Sequence, residues 1–230
     1  MLLSKGFCLS LYSLGLLATA AGDTGVSAEL TFFGRASVKI RTASGFVLYI
    51  DPYAPGDYTE AADLILVTHG HVDHNQVKLV ARKAATVIAA PQGAVSEKHY
   101  RVVAEGDVFS VGAVTVRAMP AENKNHARAA TRGYIVSFDG IVVYHAADTD
   151  YLPEMAGWGQ YGITYALLPC DGFYNMGPAE ASRCAAAMQA RRIIPIHSTK
   201  TGLSDEQNAR MVQGPEVLVI KPGESMALLP

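Results

Sequence analysis

Residues 66–76 read "LVTHGHVDHNQ" and carry three of the seven histidines in a chain of 230 residues. The run that leads into them, "LILVT" (64–68), is short, apolar and partly β-branched, the pattern of a strand entering a core. A strand ending there leaves His69 and His71 on the loop at its carboxyl end, two residues apart and able to point the same way in extended chain. Asp73 and His74 follow, expected at the start of the next helix. Turning the chain between the two pairs aims them at different points. Imidazole nitrogens and carboxylates are the ligands of zinc and related divalent ions, so the spacing favours two metals over one.

A local cluster of this kind needs ligands from elsewhere to close its coordination spheres, and other strand ends offer them. His126 follows the strand-like "VTVRAMP", Asp148 ends "IVVYHAAD", and His197 ends "IIPIH". Three imidazoles for one ion, an Asp with two imidazoles for the other and a shared carboxylate make seven ligands. Taken singly, a histidine is more often a core or surface residue than a ligand. The three in "THGHVDH" are judged together, with Asp73 between them. Asp148 has a turn-capping alternative before "YLPEM". Asp51 either orients a ligating imidazole from behind or forms an Asp-Pro turn. His145 is a donor behind the ligands or simply a strand end, and Tyr174 and Asn175 are candidate substrate contacts.

The rest of the chain alternates short apolar runs with Gly, Pro and Asp breakers. "LTFFG", "SVKIRT" and "FVLYIDP" read as strands ahead of "LILVTH". "NQVKLVARKAA" (75–85) reads as a helix with Val77, Val80, Ala81 and Ala84 on one face, and "TVIAAP" as a strand. Hairpins are expected at Gly112 and at Asp139-Gly140. "YALLPC", an alanine-rich helix opening near Pro178, "IIPIH" and a last strand pair in "VLVIKPGESMALL" complete the order. Two blocks of strands, each with a helix beside it, predict two packed sheets with helices outside.

Composition narrows the function classes. With 19 basic and 21 acidic residues the net charge is −2, which gives no strong field for nucleic acid. Cys8, Cys170 and Cys184 form no CxxC pair, so neither a disulfide framework nor a thiolate metal cage is indicated, and Cys170 and Cys184 pair only if the fold joins them. After Lys5, the sixteen uncharged residues "GFCLSLYSLGLLATAA" lead to small-residue sites at Ala18-Thr19-Ala20 and Val26-Ser27-Ala28. Residues 1–28 therefore read as a signal peptide, with a periplasmic or secreted domain at 29–230. The run is too short for a stable membrane span, which needs ~20 apolar residues. An uncleaved anchor or a cytoplasmic protein is the alternative.

"THGHVDH" resembles the HxHxDH signature of the metallo-β-lactamase superfamily. "IDPY", "NKNH", "GYIVSFDGIVVYHAADTDYLPEM" and "IIPIH" are similar to blocks of its bacterial branch of small metal-dependent hydrolases, which includes relatives of the ascorbate-phosphate lactonase. The resemblance implies a mixed α/β fold, a four-layer αββα sandwich, with a dinuclear site at one edge. It implies that His69, His71 and His126 hold one metal, that Asp73, His74 and His197 hold the other, and that Asp148 bridges them. Many relatives carry His in place of Arg35, Gly in place of Ala147 and an aromatic in place of Ser198.

Two divalent ions ~3.5–4 Å apart lower the pKa of a shared water toward neutrality and so supply a hydroxide nucleophile. Asp73 then both binds its metal and orients the hydroxide. Zinc is the expected metal, with Mn2+ or Fe2+ as alternatives, and the expected reaction is hydrolysis of an ester, lactone or amide in a small-molecule substrate. A phosphodiesterase acting on a lipid or nucleotide uses the same residues. A redox di-iron protein and a non-catalytic metal-binding module are the remaining alternatives. No GxSxG, P-loop or dinucleotide motif is present. Nothing in the sequence sets the oligomeric state.

Overall fold

The computed structural model describes residues 28–230. The expected leader lies outside them except for Ala28, which opens the first strand. In chain order the strands are β1 Ala28–Gly34, β2 Ser37–Thr42, β3 Val47–Ile50, β4 Ala62–Leu66, β5 Arg82–Ala90, β6 Arg101–Val102, β7 Val108–Val111, β8 Val114–Pro120, β9 Arg132–Phe138, β10 Ile141–His145, β11 Tyr165–Pro169, β12 Arg192–Ile196 and β13 Ser225–Leu228. The helices are α1 Pro178–Ala187 and α2 Glu206–Ala209, with 3-10 segments at Val77–Leu79 and Pro153–Tyr161. One sheet has the order β13-β1-β2-β3-β4-β5-β6 and the other β12-β11-β10-β9-β8-β7.

The two sheets pack face to face because their strands alternate. Leu30, Phe32, Val38, Ile40, Leu48, Ile50, Leu64 and Leu66 of the first meet Val116, Tyr134, Val136, Val143, Leu167 and Ile194 of the second. Each such large side chain, buried fully, contributes roughly 1.5–3 kcal/mol. Both expected hairpins form. Asp139 (φ 46°) and Gly140 (φ 75°) are both left-handed, as a two-residue turn matched to strand twist requires.

The outer layers differ. α1 and the Pro153–Tyr161 segment cover the second sheet, burying Met155, Trp158, Ala181 and Ala185 against Tyr144 and Leu168. On the first sheet, Phe33, Tyr49, Ile65 and Ile88 are covered by Tyr58, Val77, Val80 and Val95, which come from loops and one 3-10 turn. The helix expected over 75–85 is absent: Val77 and Val80 are buried, but Ala84 is exposed and β5 begins at Arg82. Their helical spacing is fortuitous, because pairing of β5 alongside β4 captures the backbone after Val80. The expected closing strand pair is also corrected. Val217 makes an isolated parallel bridge to Ile193 in the second sheet, while β13 pairs with β1 in the first.

Cys170 and Cys184 are free and buried, and burial pushes both thiols up to about 12, which makes them unreactive at neutral pH. Among the described residues no helix is long and apolar enough to cross a membrane.

Candidate metal centre

Strand direction gathers the chemistry at one edge. β3 and β4 are parallel, as are β10, β11 and β12. β8 is two antiparallel steps from β10 and so runs the same way. The carboxyl ends of these six strands therefore face one rim, where open α/β sheets place their sites. Asp51 follows β3, residues 69–74 follow β4, His126 follows β8, Asp148 follows β10, Asp171 follows β11 and His197 follows β12. Cross-sheet bonds lock the rim: Arg132 N donates to Thr68 O (2.9 Å), the Tyr134 hydroxyl to Val67 O (2.8 Å) and His197 N to Arg35 O (2.7 Å).

All seven candidate ligands converge. Asp73 and His74 sit on a tight turn, closed by His74 N donating to His71 O (3.1 Å), and not at a helix start. One group joins His69, His71 and His126: His71 Nδ1 lies 3.1 Å from His69 Nε2 and 3.2 Å from His126 Nε2. The second joins Asp73, His74 and His197, with Asp73 Oδ2 3.9 Å from His74 Nε2 and 3.6 Å from His197 Nε2. Asp148 lies between them, Oδ2 at 3.2 Å from His126 Nε2 and Oδ1 at 3.6 Å from His74 Nε2. Within each group one ligand atom per residue lies within 4.8 Å of the others, and His69, His74 and Asp148 meet the same condition.

Behind these groups stands an orienting layer. Asp51 is fully buried and accepts from His74 Nδ1 (2.7 Å), from Thr68 N (2.8 Å) and from the Thr68 hydroxyl (2.7 Å). The Thr68 oxygen is 3.0 Å from His69 Nδ1 and, its proton being given to Asp51, accepts from that ring. Asn123 Oδ1 accepts from His126 Nδ1 at 2.8 Å. Asp171 Oδ2 stands 2.9 Å from His197 Nδ1 as an ion pair rather than an aligned hydrogen bond, while Oδ1 accepts from the backbone N of Phe173 and Tyr174, each at 2.6 Å. Asn175 is buried and joins the two sides, donating to Asp171 (2.9 Å) and accepting from Asn123 (3.1 Å). Such partners fix the tautomer that leaves the other ring nitrogen free to bind a metal.

Of the residues the sequence suggested, Asp51 thus orients His74, and Asn175 braces the ligands' partners from a buried position. Tyr174 lines the cavity and its ring stands edge-on to His197 at 6.4 Å. Among the described residues His145 makes no hydrogen bond to a candidate ligand. It donates from Nε2 to Ala36 O (2.9 Å) and accepts from Ala147 N (3.3 Å), fixing the backbone that presents Asp148. Thr68, Asn123 and Asp171 were not singled out in the sequence. Their common signal is position: Thr68 directly precedes His69, Asn123 lies within "NKNH", and Asp171 follows a strand that ends at the rim.

The backbone is strained here. Among the described residues, four of the six non-glycine residues at positive φ surround the site: Arg35 (54°), Asp51 (49°), Ala147 (65°) and His197 (41°). Left-handed backbone costs an L-residue ~1–2 kcal/mol, a strain typical of functional sites. Ala147 bears that strain directly beside Asp148.

Electrostatics show what the groups require. His69 is driven far below the ordinary imidazole range by burial and by the neighbouring His74, His126 and His71. Burial alone would lower His197, but Asp148, Asp171 and Asp73 outweigh it and hold the ring at about 10. Asp171 is held down to about 2: burial works against ionisation, and His197 with the Phe173 amide overcomes it. His74 Nε2 and Asp148 Oδ1 are buried without a hydrogen-bond partner. A buried polar atom left unpaired costs ~1–3 kcal/mol, and more when charged, so a cation among these atoms removes a standing penalty. The donor set, imidazole with carboxylate, fits zinc and its first-row neighbours.

The cavity in front of these groups measures about 480 Å³ and is lined by Arg35, Tyr53, His71, Val72, Asp73, Asn125, His126, Asp148, Tyr174 and His197.

Comparison with known proteins bears on the family and the fold. The family described as the beta-lactamase superfamily domain matches residues 29–197. A UPF0173 metal-dependent hydrolase of Thermococcus kodakarensis is 31% identical over 224 residues, covering 87% of this chain and 99% of that protein. Another, from Methanoregula boonei, is 32% identical over 223 residues, covering 88% and 99%. The structure of Igni18, a metallo hydrolase from Ignicoccus hospitalis, superposes with a TM-score of 0.72 at 22% identity, over 88% of this chain and 98% of that one, a likeness of fold. Family match, identity and sandwich thus agree: the chain belongs to the metallo-β-lactamase superfamily and is one of its metal-dependent hydrolases.

Proposed function

We propose that the protein hydrolyses an ester, lactone or amide bond of a small molecule at a dinuclear zinc centre. His69, His71 and His126 would hold one ion, Asp73, His74 and His197 the other, and Asp148 both. The observation that carries this reading is the pair of converging ligand sets with two buried, unpartnered atoms, His74 Nε2 and Asp148 Oδ1, between them.

When bound, such ions acidify a water and polarise the oxygen of the scissile group. The chain's own residues do the rest. Asp73, whose side chain is 26% exposed, faces the cavity. Burial works to raise its pKa, but contact with His197 and His74 lowers it, so the carboxylate is ionised at neutral pH and can accept the hydrogen bond that orients the attacking water. Asn125 and Tyr174 line the same cavity and offer an amide and a hydroxyl to substrate oxygens. Asp51, Thr68, Asn123 and Asp171 hold the imidazoles in the geometry the reaction needs, so that little reorganisation accompanies the chemistry.

The test combines metal analysis with a substrate panel. Purified protein is expected to retain two zinc ions per chain by mass spectrometry and to hydrolyse at least one of a set of lactones, aryl esters, thioesters and β-lactams. Activity should vanish on chelation and return with zinc. Cleavage confined to phosphodiesters, or iron as the retained metal, would replace the reading.

A further inference from the structure

Once the candidate ligands are set aside, the cavity is lined by Arg35, Tyr53, Val72, Asn125 and Tyr174. Arg35 is the one permanent cation in that wall, and the fold holds it in place from four directions. Its backbone N donates to Leu203 O and its carbonyl accepts from His197 N, both at 2.7 Å. Its guanidinium donates to Thr199 O (3.1 Å) and Lys200 O (3.3 Å). The turn that carries it needs the left-handed backbone of Gly34 (φ 124°), where any side chain would run into Leu203 at 2.8 Å.

This anchoring leaves the guanidinium with unused capacity. Two of its five N–H groups are spent on carbonyls, and it makes no ion pair among the described residues. Arg128, by contrast, is surrounded by Glu105, Glu122 and Glu154. The charges near the cavity sharpen the point. Asp51, Asp73, Asp148 and Asp171 carry four negative charges, which two divalent ions would offset. Arg35 remains in the cavity wall as a cation with no carboxylate paired to it among the described residues.

We infer that Arg35 determines specificity by selecting a substrate that carries an oxyanion, a carboxylate or phosphate, away from the scissile bond. The inference rests on the proposed metal-centred hydrolysis and adds the substrate's charge to it. A planar guanidinium offers two parallel N–H groups to such an anion, and because folding has already immobilised the side chain, little entropy is lost on binding. Tyr53, Val72 and Tyr174 provide apolar surface for the carbon skeleton between the two ends.

Binding to the zinc-loaded full chain tests this without knowledge of the natural substrate. Succinate, glutarate and adipate are titrated by calorimetry against the monocarboxylates of equal length, which engage only the metals. At least one diacid should bind roughly tenfold or more tightly than its monoacid, the gain of a single charge-assisted contact. Arg35→Gln, which removes the charge and keeps a polar side chain, should abolish that preference while leaving monoacid affinity unchanged. Arg35→Lys should restore part of it. Lys200→Gln, a cation lost outside the cavity wall, should leave it intact. The corresponding ω-phosphonocarboxylates identify the oxyanion, by which of the two loses more affinity in Arg35→Gln. Equal diacid and monoacid affinities in the native protein, or a preference that survives in Arg35→Gln, would overturn the inference. A protein that takes up no zinc fails earlier, in the metal analysis, and removes the underlying reading with it.

Discussion

His69 and His126 are backed by neutral oxygens, the Thr68 hydroxyl at 3.0 Å and the Asn123 amide at 2.8 Å, and His71 is exposed. His74 and His197 are backed by carboxylates, Asp51 at 2.7 Å and Asp171 at 2.9 Å, and share their group with a third, Asp73. The consequence appears in the imidazoles themselves. Burial and neighbouring rings push His69 and His126 below the ordinary range, whereas surrounding carboxylates overcome burial and raise His74 and His197. Similar ligand types thus sit in two electrostatic settings. The Asp73 half is expected to hold a divalent ion more tightly, and the His71 half to leave its ion more open to solvent.

The largest effect should come from the residue that joins the halves. Asp148→Ala is expected to remove metal from both and, with it, the zinc-dependent turnover down to background, checked by mass spectrometry and steady-state kinetics. Retention of both ions in that variant would mean that the halves are independent. The contrast itself is measured by two substitutions behind the ligands. Asp171→Asn should weaken metal binding in the Asp73 half by about 10–100-fold, and Asn123→Ala should weaken it in the other half toward the low end of that range. Competition with a chromophoric chelator reads both, and equal losses would erase the distinction between charged and neutral backing.

Smaller effects probe the connections. Thr68→Val removes the hydroxyl between Asp51 and His69, and denaturant unfolding should show a loss of about 1–3 kcal/mol from the acceptor and donor left unpaired. Smallest is Arg128→Ala. Arg128 ties Glu105, Glu122 and Glu154 beside the His126 loop, but these groups are half exposed and solvent screens them. The expected loss of stability is about 1 kcal/mol or less, with metal stoichiometry retained.

How much of this was legible in the sequence follows the same division between local and distant causes. The candidate ligands in "THGHVDH" are legible because a strand end forces them together, and the hairpin at Asp139-Gly140 because only certain residues accept its backbone. His126, Asp148 and His197 are legible as residues at or beyond strand ends, and the parallel run of β10 to β12 explains why those ends coincide. The helix expected over 75–85 failed for the opposite reason. Val77, Val80 and Ala81 fit a helical period, yet pairing of Arg82 with Ala62 in the sheet decides the backbone. Asp171 escaped notice because nothing within "PCDGF" indicates a histidine 26 residues later, and only the adjacency of β11 and β12 places them 2.9 Å apart. The closing segment misled similarly, since its two runs look like partners but join opposite sheets.

The central claim is that seven side chains form two joined metal sites, and anomalous diffraction from crystals of zinc-loaded protein tests it most directly. The account requires two peaks, ~3.5–4 Å apart. One should lie among His69, His71 and His126, the other among Asp73, His74 and His197, with Asp148 reaching both. A single peak, or zinc bound away from these residues, would contradict it.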